Sequence, residues 1–127
     1  MPDTAPAPPS PLGIVVPHRE LLDQLFDKWS PQVLELLCDS PLRFSELRRS
    51  MPTVTAKSLT ATLRRLERNG IVERLLVSSR PVAVEYRITP LGKTLREPID
   101  VLLGWIGTHM AGVQSARARF DRDEVTG

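Results

Sequence analysis

The chain has 127 residues, of which 41% are hydrophobic and 25% are charged, and its formal net charge is +2. This length suits one compact domain rather than two. A single cysteine excludes an intramolecular disulfide framework and fits a cytoplasmic protein, and no apolar run of about 18 residues predicts a membrane span.

The N-terminal residues 1–17 hold six of the twelve prolines. Proline fixes its own φ angle and lacks an amide donor, so these residues are poor candidates for a helix or a central strand. We therefore predict a flexible, extended arm over residues 1–17.

Three helices are predicted next. Residues 19–28 form the first, with one apolar face made by Leu21, Leu22, Leu25 and Phe26. Ser30-Pro31 starts the second, with Ser30 as the cap and proline in the first turn. A short third helix over residues 45–50 is capped by Ser45, and Met51-Pro52 ends it in a turn.

A fourth helix is predicted from Thr55, as the cap, to about Asn69, with Gly70 as its terminator. Three leucines at i, i+4 and i+7 form its buried stripe: Leu59, Leu63 and Leu66. The opposite side carries Lys57, Ala61, Arg64 and Arg68, and Ser58 and Arg65 flank that side. Small residues let a backbone approach a DNA groove, and arginine and lysine reach bases or phosphates.

The positive charge is concentrated in the middle of the chain. Residues 42–80 contain nine basic and three acidic residues, whereas the whole chain has 17 and 15. Such a patch attracts polyanions such as DNA. A solvated, arginine-rich helical surface explains the same charge, and charge alone does not separate the two interpretations.

Two strands follow, at residues 72–77 and 84–88, and the second alternates apolar with charged residues. Between them, residues 78–83 form a loop that carries Arg80. An arginine on a narrow hairpin suits a minor groove, although an ordinary polar turn has the same composition.

Thr89-Pro90 starts a last, strongly apolar helix, which Pro98 should kink or divide. Its apolar face exceeds what a domain of this size needs for its own core, so we predict a partner subunit as its cover. On this helix, the predicted dimer interface comprises Leu102, Trp105, Ile106 and Met110.

The predicted fold is therefore mainly α with a small β-hairpin (α+β), in the order of a winged helix-turn-helix. Several segments at matching spacing resemble the HxlR-type regulators, relatives of the MarR group, over roughly residues 17–105. They include Lys28-Trp29, Arg43-Phe44-Ser45-Glu46-Leu47-Arg48, Pro52, Leu63-Arg64-Arg65-Leu66-Glu67, Gly70-Ile71-Val72-Glu73-Arg74 and Thr89-Pro90-Leu91-Gly92.

The resemblance implies a bacterial homodimer, assembled through the N- and C-terminal helices, that binds inverted-repeat operators as a repressor or activator. This assembly would add Leu21, Leu22 and Leu25 of the first helix to the predicted dimer interface. The domain would span residues 18–112, with a polar tail at 113–127. The helix after Pro52 would enter the major groove, and the hairpin would touch the flanking minor groove. The predicted DNA-binding residues are Arg43, Ser45, Thr55, Lys57, Ser58, Ala61, Thr62, Arg64, Arg65 and Arg80.

One position departs from this family. Many relatives carry a sensor cysteine before the proline at the head of the first helix, where this chain has Val16. Cys38, beside Leu36 and Leu37, is interpreted as a small buried apolar residue rather than a thiol sensor. A small-molecule effector pocket at the dimer interface could be lined by Phe26, Trp29, Trp105 and Met110, although such residues also form plain cores.

No catalytic constellation, cofactor motif or ligand-spaced metal cluster is present, so we expect neither an enzyme nor a metalloprotein. The competing hypothesis is a winged-helix module that binds proteins without DNA, because a fold does not fix a function. A steep salt dependence of duplex binding would separate the two.

Overall fold

The computed structural model of the chain describes residues 16–126. It is mainly helical, with one small antiparallel sheet, as predicted. The described residues fall into two compact units, one ending at Lys93 and one beginning at Thr94. The elements in chain order are α1 (Val16–Leu25), α2 (Ser30–Leu37), β1 (Leu42–Arg43), α3 (Phe44–Ser50), α4 (Ala56–Arg68), β2 (Val72–Ser79), β3 (Val82–Ile88), α5 (Pro90–Lys93) and α6 (Arg96–Thr126).

The core of the first unit is aliphatic and draws on helices and sheet together. The leucine stripe of α4 is fully buried, as predicted. It packs with apolar residues of α2, α3 and the strands, including Val33, Leu34, Leu37, Leu47, Ile71, Val72 and Ile88. Each buried leucine contributes roughly 2 kcal/mol through removal of its surface from water.

The first helix begins earlier than predicted. Val16 and Pro17, which we assigned to the extended arm, form the start of α1. Proline is compatible with the first turn because no amide there has a helical partner. The rest of the predicted arm, residues 1–15, lies outside the described residues.

The predicted caps Ser30 and Ser45 are wrong. Ser30 lies inside α2, and the Asp27 carboxylate accepts the amides of Trp29 and Ser30 at 3.0 and 2.7 Å instead. Ser45 is the second residue of α3, whose start is closed by Glu46 accepting the Arg43 amide at 2.8 Å. In both places a carboxylate accepts hydrogen bonds from backbone amides at the helix start, because a charged acceptor is stronger than a hydroxyl.

Both ends of α4 agree with prediction. The Thr55 hydroxyl accepts the Ser58 amide at 3.0 Å, which caps the N-terminus. Gly70 adopts a positive φ of 74°, and the amides of Gly70 and Ile71 bond back to the carbonyls of Glu67 and Leu66. This closure turns the chain directly into β2.

The sheet has three strands rather than the predicted two, in the order β1-β3-β2. The added strand β1 pairs antiparallel with β3, Leu42 opposite Tyr86 and Arg43 opposite Glu85. Two residues give no periodic pattern, so β1 exists only through this long-range pairing. The hairpin loop is also shorter than the predicted 78–83, because β2 runs to Ser79 and β3 starts at Val82.

Thr89 starts α5 as predicted, and its hydroxyl accepts the Gly92 amide at 3.0 Å. Gly92 is required here, since a Cβ at this position would lie 2.3 Å from the Ile71 carbonyl oxygen. The helix is divided as expected, but the break falls at residues 94–95, which leaves Pro98 in the first turn of α6.

The second unit consists mainly of α6, a helix of 31 residues. The residues predicted as a polar tail, 113–127, continue α6 as far as Thr126. No proline follows Pro98, and alanine, arginine and glutamine in this segment favour a helix even when it is polar.

Candidate nucleic-acid interface

Helix α4 presents two chemically different sides. Its leucine stripe lies in the core, whereas Lys57, Thr60, Arg64 and Arg68 are exposed. Among residues 16–126, no carboxylate lies within ion-pairing distance of Arg64. The exposed side therefore offers cations and small polar groups to solvent.

The N-terminal half of α4 is slim and exposed. Thr55, Ala56 and Lys57 are exposed, while Ser58 and Ala61 are half-buried. A capped helix N-terminus also carries a partial positive charge from its unpaired amides. The N-terminal end of α4 is therefore thin and positively charged. It can approach an anionic partner that leaves little space for side chains.

Thr62 corrects the predicted interface. Its exposed fraction is 0%, because it lies on the same stripe as Leu59 and Leu66 at i+3 and i−4. Its hydroxyl accepts a hydrogen bond from Arg65 at 3.3 Å. Thr62 therefore cannot contact a ligand of the exposed side, and the helical spacing already placed it among the leucines.

Arg65 is the second correction, because its guanidinium is bound to the Asp27 carboxylate, just beyond the end of α1. Asp27 is half-buried and also accepts hydrogen bonds from two backbone amides at the start of α2. Partial burial raises the pKa of Asp27, but the hydrogen bonds from Arg65, Ser30 and Trp29 outweigh it and lower the pKa below its ordinary value. Arg65 thus joins helices instead of facing a groove.

Two further polar contacts join the same sides of α1 and α4. The Asn69 amide donates to Gln24 at 2.8 Å, and Arg68 lies 3.7 Å from Glu20. Neither was predicted, because the partners are more than 40 residues apart and no local pattern links them. Asp27–Arg65 and Gln24–Asn69 hold one flank of α4 against α1, whereas the Arg68–Glu20 pair is exposed and weak.

The two side chains predicted to contact DNA around the start of α3 are accessible to solvent. Arg43 and Ser45 are exposed, at the end of β1 and in the first turn of α3. The strand pairing of Arg43 with Glu85 and the Glu46 cap fix the backbone at this point. Both residues remain candidates for phosphate contacts.

The hairpin carries Arg80 at its tip. Arg80 is exposed, its amide donates to the Ser78 hydroxyl at 3.3 Å, and a cis peptide bond joins it to Pro81. The strand pairing shifts by one residue between Leu76 and Ser78. The tip thus extends Arg80 into solvent on a two-residue turn, as a narrower structure than the predicted six-residue loop.

The apolar residues assigned to a dimer interface divide into two groups. Leu25 is 7% exposed and belongs to the core of its own chain, which corrects that assignment. Leu21 and Leu22 on α1 are exposed, as are Leu102, Trp105 and Ile106 on α6, and Met110 is half-buried. On α6 the rings of Trp105 and His109 are stacked, with centroids 4.6 Å apart.

Cys38 follows α2 and is half-buried rather than fully buried as expected. Val16, at the position where the resemblance leads one to expect a sensor cysteine, is exposed. Among residues 16–126, no three side chains of His, Cys, Asp and Glu are grouped as metal ligands. The same part of the chain contains no helix with the length and apolar character required to cross a membrane.

Known proteins that are similar to this chain are named as transcriptional regulators. The model of the HxlR-like helix-turn-helix family matches residues 24–114. The HTH-type transcriptional regulator YtfH of Escherichia coli is 35% identical over 101 residues, 80% of both chains. YkvN of Bacillus subtilis, also named an HTH-type transcriptional regulator, is 42% identical over 94 residues, 74% of this chain and 79% of its own.

A solved structure described as the redox regulator HypR in its reduced form has a TM-score of 0.72 to this chain. The two are 33% identical, and the match covers 79% of this chain and 99% of the other. The family match over residues 24–114 contains the helix-turn-helix and the sheet described above.

Proposed function

The chain belongs to the HxlR-like helix-turn-helix family of transcriptional regulators, and from that premise we propose that it binds double-stranded DNA sequence-specifically as a homodimer. The resemblance and the winged helix-turn-helix fold predicted from the sequence are thereby confirmed. The single observation that carries the proposal is the two-sided α4, with its leucines in the core and its cations in solvent.

In this proposal α4 enters the major groove, where an α-helix fits and base edges are distinguishable. The small residues at its start allow close approach, and Arg64 reaches base edges or phosphates. The proposed contacts on α4 are Thr55, Lys57, Ser58, Ala61 and Arg64; Thr62 and Arg65 are no longer among them.

Two further regions complete the proposed contact with DNA. Arg43 and Ser45 contact phosphates ahead of α4, which positions the protein without reading sequence. Arg80 enters the flanking minor groove, where narrow A·T-rich segments attract arginine.

The homodimer is proposed from exposed apolar surface on α1 and α6. The leucines and the tryptophan of this surface are 40 to 52% exposed, and exposing so much apolar surface to water is unfavourable in free energy. A second copy of the chain can cover it, because any solution of the protein contains further copies. A two-fold dimer would present two copies of α4 to an inverted-repeat operator, one helical turn or a multiple apart. Leu102→Glu, which places a charge on this surface, should shift the mass measured by light scattering from dimer to monomer.

We further propose that the protein has no catalytic activity and acts on the chromosome in the cytoplasm.

Redox sensing through a thiol at Val16 is chemically impossible, since valine has no thiol. If the protein is not a thiol sensor, treatment with the oxidant diamide should leave operator binding unchanged. Diamide-induced loss of binding in the wild-type protein, but not in Cys38→Ser, would show that Cys38 is a sensor. A small-molecule effector at the dimer interface remains part of the proposal, tested by thermal shift with aromatic compounds.

Selection of bound duplexes from a random pool tests the proposed function most completely. A two-fold symmetric motif in the selected sequences is the expected result. Recovery of unrelated duplexes, with no enrichment over the input pool, would contradict sequence-specific binding. A motif without symmetry would contradict the dimer.

A further inference from the structure

A concave pocket of about 570 Å³ lies between α4 and the hairpin strands β2 and β3. It is separate from the slim N-terminal end of α4, because the α4 residues that line it belong to the middle and end of the helix. Its polar lining comprises Thr60, Arg64, Glu67 and Arg68 of α4, Arg74 of β2 and Tyr86 of β3.

The chemistry of the pocket suits an anion. Three guanidinium groups and one carboxylate give it a net positive charge. Arg74 lies 3.9 Å from Glu67, and both side chains are 39 to 57% exposed, so this pair is weak and screened by solvent. A phosphate oxygen offers Arg74 a stronger partner, because the planar guanidinium matches phosphate geometry.

The sheet fixes the positions of the two strand residues that line the pocket, Arg74 and Tyr86. Arg74 and Tyr86 are directly opposite each other in the β2–β3 register, so their side chains leave the same face of the sheet. Arginine supplies charged donors, and the tyrosine hydroxyl supplies a neutral one. Arg64 faces them from α4. A bound anion would therefore be contacted from two elements at once.

The position of the pocket identifies the anion, and this step rests on the proposed function. If α4 occupies the major groove and Arg80 the adjacent minor groove, one sugar–phosphate strand separates them. Arg74 is the third residue of β2 and Arg80 follows its last, so the pocket lies on the hairpin between α4 and the tip. We propose that this pocket binds a phosphate of that strand, with Arg74 and Tyr86 as its sheet-side ligands.

The test compares Arg74→Gln with Arg87→Gln in the full chain. Arg87 is the matched control, because it has the same charge, pairs with Glu73 across the same two strands, and lies on the opposite face of the sheet. Binding of the selected duplex and of an unrelated duplex is measured by fluorescence anisotropy over a range of salt concentrations. Thermal unfolding establishes that each variant is folded.

Arg74→Gln should weaken binding to both duplexes by a similar factor, roughly 3- to 10-fold, and reduce the slope of log K against log salt by about 1. Arg87→Gln should change the slope by less than half as much. Tyr86→Phe, which removes only the hydroxyl, should weaken both duplexes about 2- to 5-fold without changing the slope.

Wild-type affinity and slope in Arg74→Gln would overturn the phosphate site while leaving the proposed function intact. Absence of any duplex binding by the wild-type protein would overturn both. A third arm titrates inorganic phosphate at constant ionic strength. Suppose that inorganic phosphate changes the spectroscopic signal of Tyr86 while Arg74→Gln still binds duplex with normal affinity. The pocket would then bind a free anion, and its assignment to a phosphate of the DNA strand would be wrong.

Discussion

Arg64 and Arg65 are neighbours on α4, yet their surroundings are opposite. Arg64 is exposed beside the pocket on the hairpin side, whereas Arg65 is turned toward α1 and held by Asp27. One step along a helix rotates a side chain by about 100°, which is enough to exchange solvent for a partner helix. The pair shows that the charge of an arginine does not decide its role; the face of the helix does.

The buried side of α4 should show the largest effect on stability. Leu63→Ala removes a side chain that is 1% exposed and leaves a cavity in the core, which should lower the free energy of unfolding by about 2 to 5 kcal/mol. Urea unfolding measures this change. A loss below about 1 kcal/mol would mean that the α4 stripe is not tightly packed.

On the exposed side, Arg64→Ala should weaken operator binding by about 1 to 3 kcal/mol. Its free energy of unfolding should change by no more than about 0.5 kcal/mol, because the side chain has no partner among residues 16–126. Gel shift and urea unfolding of the same preparation separate the two quantities. Normal binding in this variant would remove Arg64 from the interface.

On the α1 side, Asp27→Asn should lower the free energy of unfolding by about 1 kcal/mol. The estimate is modest because the Arg65 side chain is 38% exposed and solvent screens the pair. Arg65→Gln should cost a similar amount, and the double variant less than the sum of the two. Additive losses would show that the two residues do not interact.

The smallest expected effect is the pH dependence of this same contact. The pKa of Asp27 is lowered in the folded chain, so the ionised carboxylate contributes stability above about pH 4 that is lost as the pH falls through the folded value. The difference in unfolding free energy between the wild-type protein and Asp27→Asn should therefore shrink from about pH 6 to about pH 3. A difference independent of pH would exclude ionisation as its source.

Local signals explain which parts of the fold were predictable. The Thr55 cap, the Gly70 terminator and the leucine stripe of α4 act within a few residues, and all three agree with the structure. Strand β1 and the Asp27–Arg65 contact depend on residues about 40 positions apart, so no window of sequence contains them.

For the candidate site, residue type misled where position decided. Thr62 and Arg65 have suitable chemistry for a DNA groove but lie on the wrong faces of α4. Arg74 and Tyr86 were visible as parts of a basic segment and an alternating strand. Their meeting with α4 in one pocket requires the closed hairpin.

In the proposed dimer, two copies of the exposed side of α4 contact the phosphates of duplex DNA. The most direct measurement is the affinity of the wild-type protein for its selected duplex as a function of salt. Neutralised phosphates on both subunits predict a linear plot of log K against log salt with a slope of roughly −4 or steeper. An affinity that is independent of salt, or no higher for duplex than for a neutral competitor, would contradict it.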